Sequence, residues 1–230
     1  MSSEQISPIE SQYKQHFNDI KKYGPEILGT MAAARWRNDP KLLGITLSRY
    51  KFVSKMLKDF NLVLEIGAGD SWFSRVVLES CQKLVLSDFD PIWKADFSKQ
   101  EFYKGTNTEY IIHNFVVERH ETKYDGIYAL DVLEHIKPSE QDQFLQNVCR
   151  SLNQEGVAIF GMPSLESQLY ASKSSKEGHV NCQSGEQLRE GLKKYFENVF
   201  IFSMSDEVIH TGFTPMAHYL IALCVAPKYF

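Results

Sequence analysis

The chain has 230 residues, of which 43% are hydrophobic and 23% charged, and its formal net charge is -4. This length suffices for one large domain with a proper core, or for one domain with an N-terminal cap. The acidic balance disfavours nucleic acid as a partner, because binding to phosphate backbones normally requires a basic excess. The four cysteines show no paired spacing, so neither a zinc site nor a disulfide framework is expected and the protein is predicted to be cytoplasmic. The longest apolar run, residues 219–226, is too short to cross a bilayer, and no membrane partner is expected.

Residues 1–60 are predicted to form a helical cap, distinct from a main domain over residues 61–230. Apolar side chains recur there at helical spacing and define one face, formed by Leu42, Ile45, Val53, Met56 and Phe60. Arg49 falls on the same face, where it needs a partner because an unpaired buried charge is costly. Its guanidinium fork fits a carboxylate, which either a ligand or the protein itself supplies. A third possibility is that the charged end of Arg49 reaches solvent.

From residue 61 onward, short apolar segments alternate with amphipathic ones. This alternation predicts an α/β fold with a seven-stranded, mostly parallel sheet and helices on both faces. The predicted strands are 62–66, 84–86, 110–112, 126–130, 157–160, 199–202 and 219–225. No helical pattern separates the last two strands, so one of them is expected to run antiparallel.

Two glycines, Gly67 and Gly69, follow the first predicted strand directly. In a parallel sheet, ligands bind outside the carboxyl ends of the strands, and glycine lets the backbone turn tightly and approach a ligand closely. A dinucleotide fingerprint would need a third glycine where Trp72 stands, which disfavours a bound pyrophosphate. Glu65 would place negative charge beside the ligand, which suits a cationic sulfonium or ammonium group. Asp88, at the end of the second strand, is suited to accept hydrogen bonds from both hydroxyls of a ribose.

These residues resemble the class I S-adenosylmethionine-dependent methyltransferases over roughly residues 49–225. Residues 65–69 are similar to the first motif of that family, residues 86–90 to its second, and the Leu-Glu-His triplet at 133–135 to small-molecule methyltransferases. The resemblance implies a Rossmann-like fold and S-adenosylmethionine (SAM) as the cofactor. One departure is Ser71, which stands where the family usually has a third alternate glycine.

The resemblance also implies roles at the cofactor. Glu65 and the turn residues Gly67, Ala68 and Gly69 would border the cofactor, and Leu130 would offer its backbone near the methionyl ammonium group. Asp88 would bind the ribose and Phe89 would lie against the adenine. Asn114 and Phe115 would follow the third strand near the adenine amino group.

The segment around Arg49 is similar to the N-terminal part of ubiquinone-biosynthesis-type O-methyltransferases. In those enzymes an arginine upstream of the first motif holds the cofactor carboxylate, and the resemblance implies this role for Arg49. Trp36 is placed in the same lid.

Two histidines are candidates for a catalytic base. A hydroxyl acceptor of high pKa needs a base near neutral pH, and histidine suits that role. His179, in the long loop 162–185, is favoured and His135 is the second candidate; the alternative is that His179 is a structural hydrogen-bonding residue. Tyr170 in the same loop is predicted to line the acceptor pocket together with His179. Asp131, Glu134 and His135 have spacing that a metal site would need, but caps and salt bridges are commoner, so no metal is expected.

The acceptor is expected to be a small molecule. Residues 164–167 and 178–181 are loosely similar to methyltransferases of bacterial surface-sugar pathways, which favours a sugar or nucleotide sugar. The Asn/Asp-Pro-Pro-aromatic motif of base methyltransferases is absent at 130–133. Alternatives are a non-catalytic SAM-binding module, a methyltransferase acting on nitrogen or on a macromolecule, and a nicotinamide-dependent oxidoreductase. The oligomeric state, monomer or homodimer, is left open.

Overall fold

The computed structural model describes residues 8–228, and one eight-stranded sheet forms its centre. Its strands are β1 Leu62–Ile66, β2 Lys83–Asp88, β3 Thr108–Ile112, β4 Tyr124–Leu130, β5 Leu152–Pro163, β6 Phe196–Ser205, β7 Val208–His210 and β8 Tyr219–Pro227. Their order across the sheet is β3-β2-β1-β4-β5-β8-β6-β7. The chain runs from β1 outward to β3 and then returns to the other side of β1, so strand order reverses between β1 and β4.

The direction of the strands confirms the predicted α/β fold with a mostly parallel sheet. Strands β1 to β5 pair in parallel, whereas β8 pairs antiparallel with both β5 and β6. One of the last two predicted strands therefore runs antiparallel, as expected. The strand count is eight instead of seven, because β7 pairs with the end of β6 through only three residues. Three residues are too few to show a strand pattern in the sequence.

Eight α-helices lie within the described residues, and they cover both faces of the sheet. They are α1 Lys14–Tyr23, α2 Thr30–Asn38, α3 Lys41–Met56, α4 Arg75–Leu78, α5 Ile92–Phe97, α6 Pro138–Ser151, α7 Lys173–Gly178 and α8 Gly185–Lys193. Helices α2 to α4 contribute to the apolar core on one face, and α6 and α8 contribute to the core on the other. No helix within residues 8–228 is long and apolar enough to cross a membrane.

Helix α3 confirms the helical prediction, and Val53 is buried as the predicted face requires, but the rest of the buried face differs in part from the predicted one. Leu42 and Met56 are 40% and 39% exposed, whereas Thr46, Tyr50 and Ser54 are buried. The hydroxyl groups of Thr46 and Ser54 donate to backbone carbonyls of their own helix. A polar side chain that is satisfied in this way can face the core, which an apolar pattern does not reveal.

The N-terminal helices share a core with the sheet. Val53 and Leu57 are fully buried in the same apolar cluster as Val63 and Leu84. Helix α2 is anchored by its first turn, because the amide of Thr30 donates to Asp96 and that of Ala32 to Asp70. The predicted boundary between a cap at 1–60 and a domain at 61–230 stays a prediction, and residues 1–7 and 229–230 lie outside the described part of the chain.

Candidate active site

A cleft of about 500 Å³ opens at the carboxyl ends of β1, β2 and β4. This is the point at which strand order reverses, where open α/β sheets bind their ligands. The predicted site residues that line it are Gly67, Gly69, Asp88, Phe89, Asn114, Phe115 and His135. A hollow of about 530 Å³ at the opposite end of the sheet, near Asn61 and Asn153, contains none of the predicted site residues.

The turn after β1 carries three alternate residues with left-handed backbone. Their φ angles are 77° at Gly67, 51° at Gly69 and 58° at Ser71. Ser71 therefore adopts the conformation that favours glycine, which explains why the family usually has a glycine at this position. A Cβ atom on Gly67 would collide with the side chain of Val132, and one on Gly69 would come within 2.8 Å of the Met31 sulfur. The two glycines thus keep the cleft open along its floor.

Asp88 is fixed at the rim of the cleft. The backbone amide of Gly69 donates to its Oδ2 at 3.2 Å, and that of Asp90 donates to its Oδ1 at 3.0 Å. Burial raises the pKa of Asp88, and these hydrogen bonds oppose that change. Each oxygen accepts one bond here and has a further lone pair, so the carboxylate can accept hydroxyl groups from a ligand.

The end of the cleft that Phe89, Asn114 and Phe115 line is apolar apart from the side-chain amide of Asn114. Phe89 is 70% exposed and Phe115 is 2% exposed, and both line the cleft. Asn114 uses its Oδ1 to accept a hydrogen bond from the amide of Val116 at 2.9 Å, which closes a short turn. An aromatic surface beside an amide suits a planar heteroaromatic ring such as adenine.

Glu65 lies outside the cleft, on the side of the sheet that faces α3. Neighbouring residues of a strand point to opposite faces, and the next residue, Ile66, lines the cleft instead. Tyr50 and Tyr128 donate hydrogen bonds to the two carboxylate oxygens of Glu65 at 2.9 and 2.6 Å. Burial raises the pKa of Glu65 to about 7, against the effect of these hydrogen bonds. This placement favours a role in joining the sheet to α3 over contact with the cofactor.

Two further predicted cofactor residues are buried. Ala68 and Leu130 are each 5% exposed, and their side chains belong to the apolar cluster that contains α3. The amide of Ala68 donates to the carbonyl of Ser87. Only backbone atoms of such residues are suited to reach a ligand, and the role predicted for Leu130 is of this kind.

Arg49 pairs with Asp131, a residue that lines the cleft. Its Nη1 lies 2.9 and 3.0 Å from the two carboxylate oxygens, and its guanidinium carbon lies 3.6 Å from the centre of the Tyr219 ring. Burial lowers the pKa of Arg49, but the attraction of Asp131 and other groups leaves that pKa raised. Arg35 lies 3.9 Å from the same carboxylate. Of the alternatives considered for Arg49, the protein carboxylate is the partner in this structure, and the sequence does not single out Asp131 for that role.

His135 lines the cleft, whereas His179 does not line it but lies beside His135, with ring centres 5.2 Å apart. The Nδ1 of His135 lies 2.9 Å from the carbonyl oxygen of Gly178, and that of His179 lies 3.0 Å from Oε1 of Gln168. Burial and the neighbouring His135 lower the pKa of His179. Glu134 directly precedes His135 in the chain and is 1% exposed. Neither of its carboxylate oxygens has a hydrogen-bond partner within residues 8–228.

Two predicted residues lie at the surface. Tyr170 is 90% exposed and Trp36 is 56% exposed, and neither lines the cleft. Their predicted roles, in the acceptor pocket and in the lid, stay predictions. The side chains that sequence reasoning missed at the cleft include Met31 and Val132; both are apolar and carry no signal that distinguishes them from core residues.

The sequence around this site assigns the chain to a protein family. Residues 36–199 match the family described as "Methyltransferase domain". Together, the reversed strand order, the glycine turn and the carboxylate at the rim define a class I methyltransferase. The chain belongs to this methyltransferase family, which confirms the resemblance to class I methyltransferases.

Solved structures agree with this assignment at the level of the fold. The N-methyltransferase NodS from Bradyrhizobium japonicum, in complex with S-adenosyl-L-homocysteine (SAH), is 16% identical over 84% of this chain and 91% of that chain, with a TM-score of 0.60. The DhpI–SAM–HEP complex is 14% identical over 97% and 99%, with a TM-score of 0.61. The CurJ carbon methyltransferase is 14% identical over 78% of this chain and 54% of that chain, with a TM-score of 0.60. No curated protein matches the chain by sequence.

The cofactor of this family fits the cleft. Gly67 and Gly69 leave space in the cleft because neither carries a side chain. Asp88 presents two carboxylate oxygens at the rim of the cleft. Two of the similar structures are complexes with SAM or SAH. The prediction of SAM as the cofactor is therefore confirmed.

Proposed function

We propose that the protein transfers a methyl group from SAM to a hydroxyl oxygen of a small metabolite, with a sugar or nucleotide sugar as the acceptor class. The observation that supports oxygen as the acceptor atom is a pair of adjacent histidines, of which His135 lines the cleft. The nearby Nδ1 of each ring is engaged with a carbonyl oxygen, so Nδ1 carries the proton and Nε2 has the free lone pair. A hydroxyl acceptor must lose a proton during transfer, and such a nitrogen can take it.

Different residues of the cleft would bind different parts of the cofactor. Asp88 would accept hydrogen bonds from the ribose, the turn from Gly67 to Gly69 would lie under it, and Phe89 and Asn114 would border the adenine. When bound, SAM supplies a methyl group on a positively charged sulfur. The protein aligns the acceptor with that methyl group and excludes water.

Arg49 stays a candidate for the cofactor carboxylate. Its Nε is buried and has no acceptor within residues 8–228, although Asp131 engages Nη1 of the same guanidinium. A buried donor without an acceptor is costly, and a ligand carboxylate would satisfy it.

His179 is the proposed base and His135 the residue that faces the cleft beside it. His179 belongs to the segment between β5 and α8 and is beside His135, which lines the cleft. Gln168 fixes the orientation of the His179 ring. A cytoplasmic location agrees with a SAM-dependent reaction on a small metabolite.

The test is a methyl-transfer assay with SAM and a panel of free sugars, nucleotide sugars, amines and carbon acids. We expect SAH release with a hydroxylated acceptor, and NMR of the product should place the new methyl group on oxygen. His179→Gln should lower kcat by about 100-fold or more, while His16→Gln on the exposed helix α1 serves as the matched control. Methylation on nitrogen or carbon would contradict the choice of oxygen. Tight SAM binding without turnover on any acceptor would instead indicate a non-catalytic module.

A further inference from the structure

A cluster of three side chains, of which His135 lines the cleft, has the composition of a metal site. A carboxylate oxygen of Glu134 and one ring nitrogen each of His135 and His179 all lie within 4.8 Å of one another. We propose that Glu134, His135 and His179 bind one divalent transition-metal ion. The sequence pattern suggests Asp131 as a member of such a set, but Asp131 is engaged by Arg49 instead. His179 joins the set through the fold, because it lies more than forty residues further along the chain.

The carboxylate of Glu134 supplies the first argument. It is 1% exposed, and neither of its oxygens has a hydrogen-bond partner within the described residues. Buried carboxylates are normally paired, hydrogen-bonded or bound to a metal ion. The positive charge that attracts Glu134 is that of Arg49, whose Nη1 is already bound by Asp131. An ion between Glu134 and the two histidines would give this carboxylate the partner it lacks.

The orientation of the histidines supplies the second argument. A histidine that binds a metal almost always donates its other ring N–H to a carbonyl or carboxylate oxygen. His135 does so to Gly178, and His179 does so to the side chain of Gln168. The amide of Gln168 is itself oriented, since its Nε2 donates to Ser164 and Ser167. Both imidazoles are thus held with a free lone pair on Nε2.

The types of ligand indicate which metal ions would bind. Two imidazoles and one carboxylate suit Zn²⁺, Co²⁺ or Mn²⁺, and three protein ligands leave positions open for a further ligand. Tetrahedral metal–ligand bonds of about 2.1 Å place ligand atoms about 3.4 Å apart, so atoms up to 4.8 Å apart must approach one another by up to roughly 1.4 Å. His135 is exposed and lines the cleft, so the imidazole has room to rotate by that amount.

The open positions would face the acceptor side of the cleft. An ion there would bind an acceptor hydroxyl and lower its pKa, in place of a histidine acting as the base. This role of the ion rests on the proposed function, whereas the binding of the ion does not.

The experiment is a calorimetric titration of the chelator-treated, full-length protein with MnCl₂, CoCl₂ and ZnSO₄, together with the visible absorption spectrum of the Co²⁺ form. We expect one ion per chain and cobalt bands typical of nitrogen and oxygen ligands. His179→Gln and Glu134→Gln should each weaken binding by at least about tenfold. His16→Gln, at an exposed position on α1, is the matched control and should not change the affinity. Since His179 lies in a loop, its variant should fold normally even if Glu134→Gln does not, and circular dichroism checks both.

The outcomes separate this proposal from the proposed function. Absence of stoichiometric binding, or binding that is unchanged in His179→Gln, would overturn the metal site. Methylation of a hydroxyl by the chelator-treated protein at an undiminished rate would overturn the role of the ion while leaving O-methylation intact. Metal binding that depends on these residues, in a protein that methylates nitrogen, would support the site and contradict the choice of oxygen.

Discussion

Gly67 combines a left-handed backbone, with φ of 77°, and a neighbour, Val132, that leaves no room for a Cβ atom. Gly105 has nearly the same φ, 75°, but a Cβ atom added there would meet no other atom within 4 Å. Gly105→Ala should therefore cost only the backbone strain, about 1 kcal/mol in the free energy of unfolding. Gly67→Ala should cost that strain and also displace Val132 into the cleft.

The affinity for SAM should distinguish the two variants. We expect Gly67→Ala to raise the Kd for SAM by at least about tenfold, which corresponds to about 1.4 kcal/mol, and Gly105→Ala to leave it unchanged. Urea denaturation and calorimetric titration measure the two effects. Equal Kd values in both variants would show that the turn at Gly67 does not shape the cofactor site.

Glu65 gives the stability of the protein a pH dependence. Burial raises the pKa of Glu65 to about 7 from an ordinary value of 4.5. Between these two values the folded protein holds a proton that the unfolded chain has released. The contribution of this group to stability is therefore complete below about pH 4.5 and is lost as the pH rises to about 7. A shift of this size corresponds to at most about 3 kcal/mol.

The variant Glu65→Gln should remove this loss, because a neutral amide can keep hydrogen bonds with Tyr50 and Tyr128. We expect the free energy of unfolding of the wild type, relative to Glu65→Gln, to fall between pH 5 and pH 8. Denaturation of both proteins at each pH measures the difference, in which the titration of all other groups cancels. A difference that does not change with pH would contradict a raised pKa at Glu65.

At the scale of elements, Gln141 on α6 holds the segment between β5 and α8. Its Oε1 accepts hydrogen bonds from the side-chain amides of Asn181 at 2.7 Å and Gln183 at 2.6 Å. The same segment is held by the carbonyl of Glu134, which accepts from the amides of Val180 and Asn181. Gln141 itself does not line the cleft, so its effect on the acceptor side is indirect.

We expect Gln141→Ala to raise the KM for the acceptor several-fold and to leave the Kd for SAM unchanged. Hydrogen exchange across residues 164–184 should become faster, because two side-chain bonds to α6 are lost. Gln143→Ala is the matched control, since that side chain donates to Asn147 in its own helix and to no other partner within residues 8–228. Unchanged exchange in Gln141→Ala would refute the anchoring role.

The elements also show which features the sequence could predict. The capping box of Ser184 with Gln187 and the position of Pro138 at the start of α6 depend on residues that are close together in the chain, so their chemistry is visible in the sequence. The glycine turn was predictable for the same reason, since its residues are adjacent in the chain. The pairing of Arg49 with Asp131 joins residues 82 positions apart. No local pattern specifies such a pair, so the sequence could state only that Arg49 needs a carboxylate.

At the scale of the whole molecule, the N-terminal helices complete the core of the sheet. Ala32, Val53 and Leu57 are fully buried, whereas α1 buries no residue. Removing residues 1–60 would expose the apolar face that these side chains cover. We expect residues 61–230 alone not to unfold cooperatively, and a chain lacking residues 1–24 to keep the melting temperature of the full protein within a few degrees. Circular dichroism melting curves test this, and a cooperative transition in 61–230 would show that the cap is an independent unit.

We expect the cleft at the carboxyl ends of β1 and β2 to bind SAM through Asp88. The most direct measurement is calorimetric titration of the protein with SAM, SAH and NADH, repeated on Asp88→Ala and Asp88→Asn. Asp90→Ala is the control, because that carboxylate is two residues away and does not line the cleft. We predict micromolar binding of SAM and SAH that both Asp88 variants lose and Asp90→Ala retains. Binding of neither compound, or a preference for NADH, would contradict the assignment of the site.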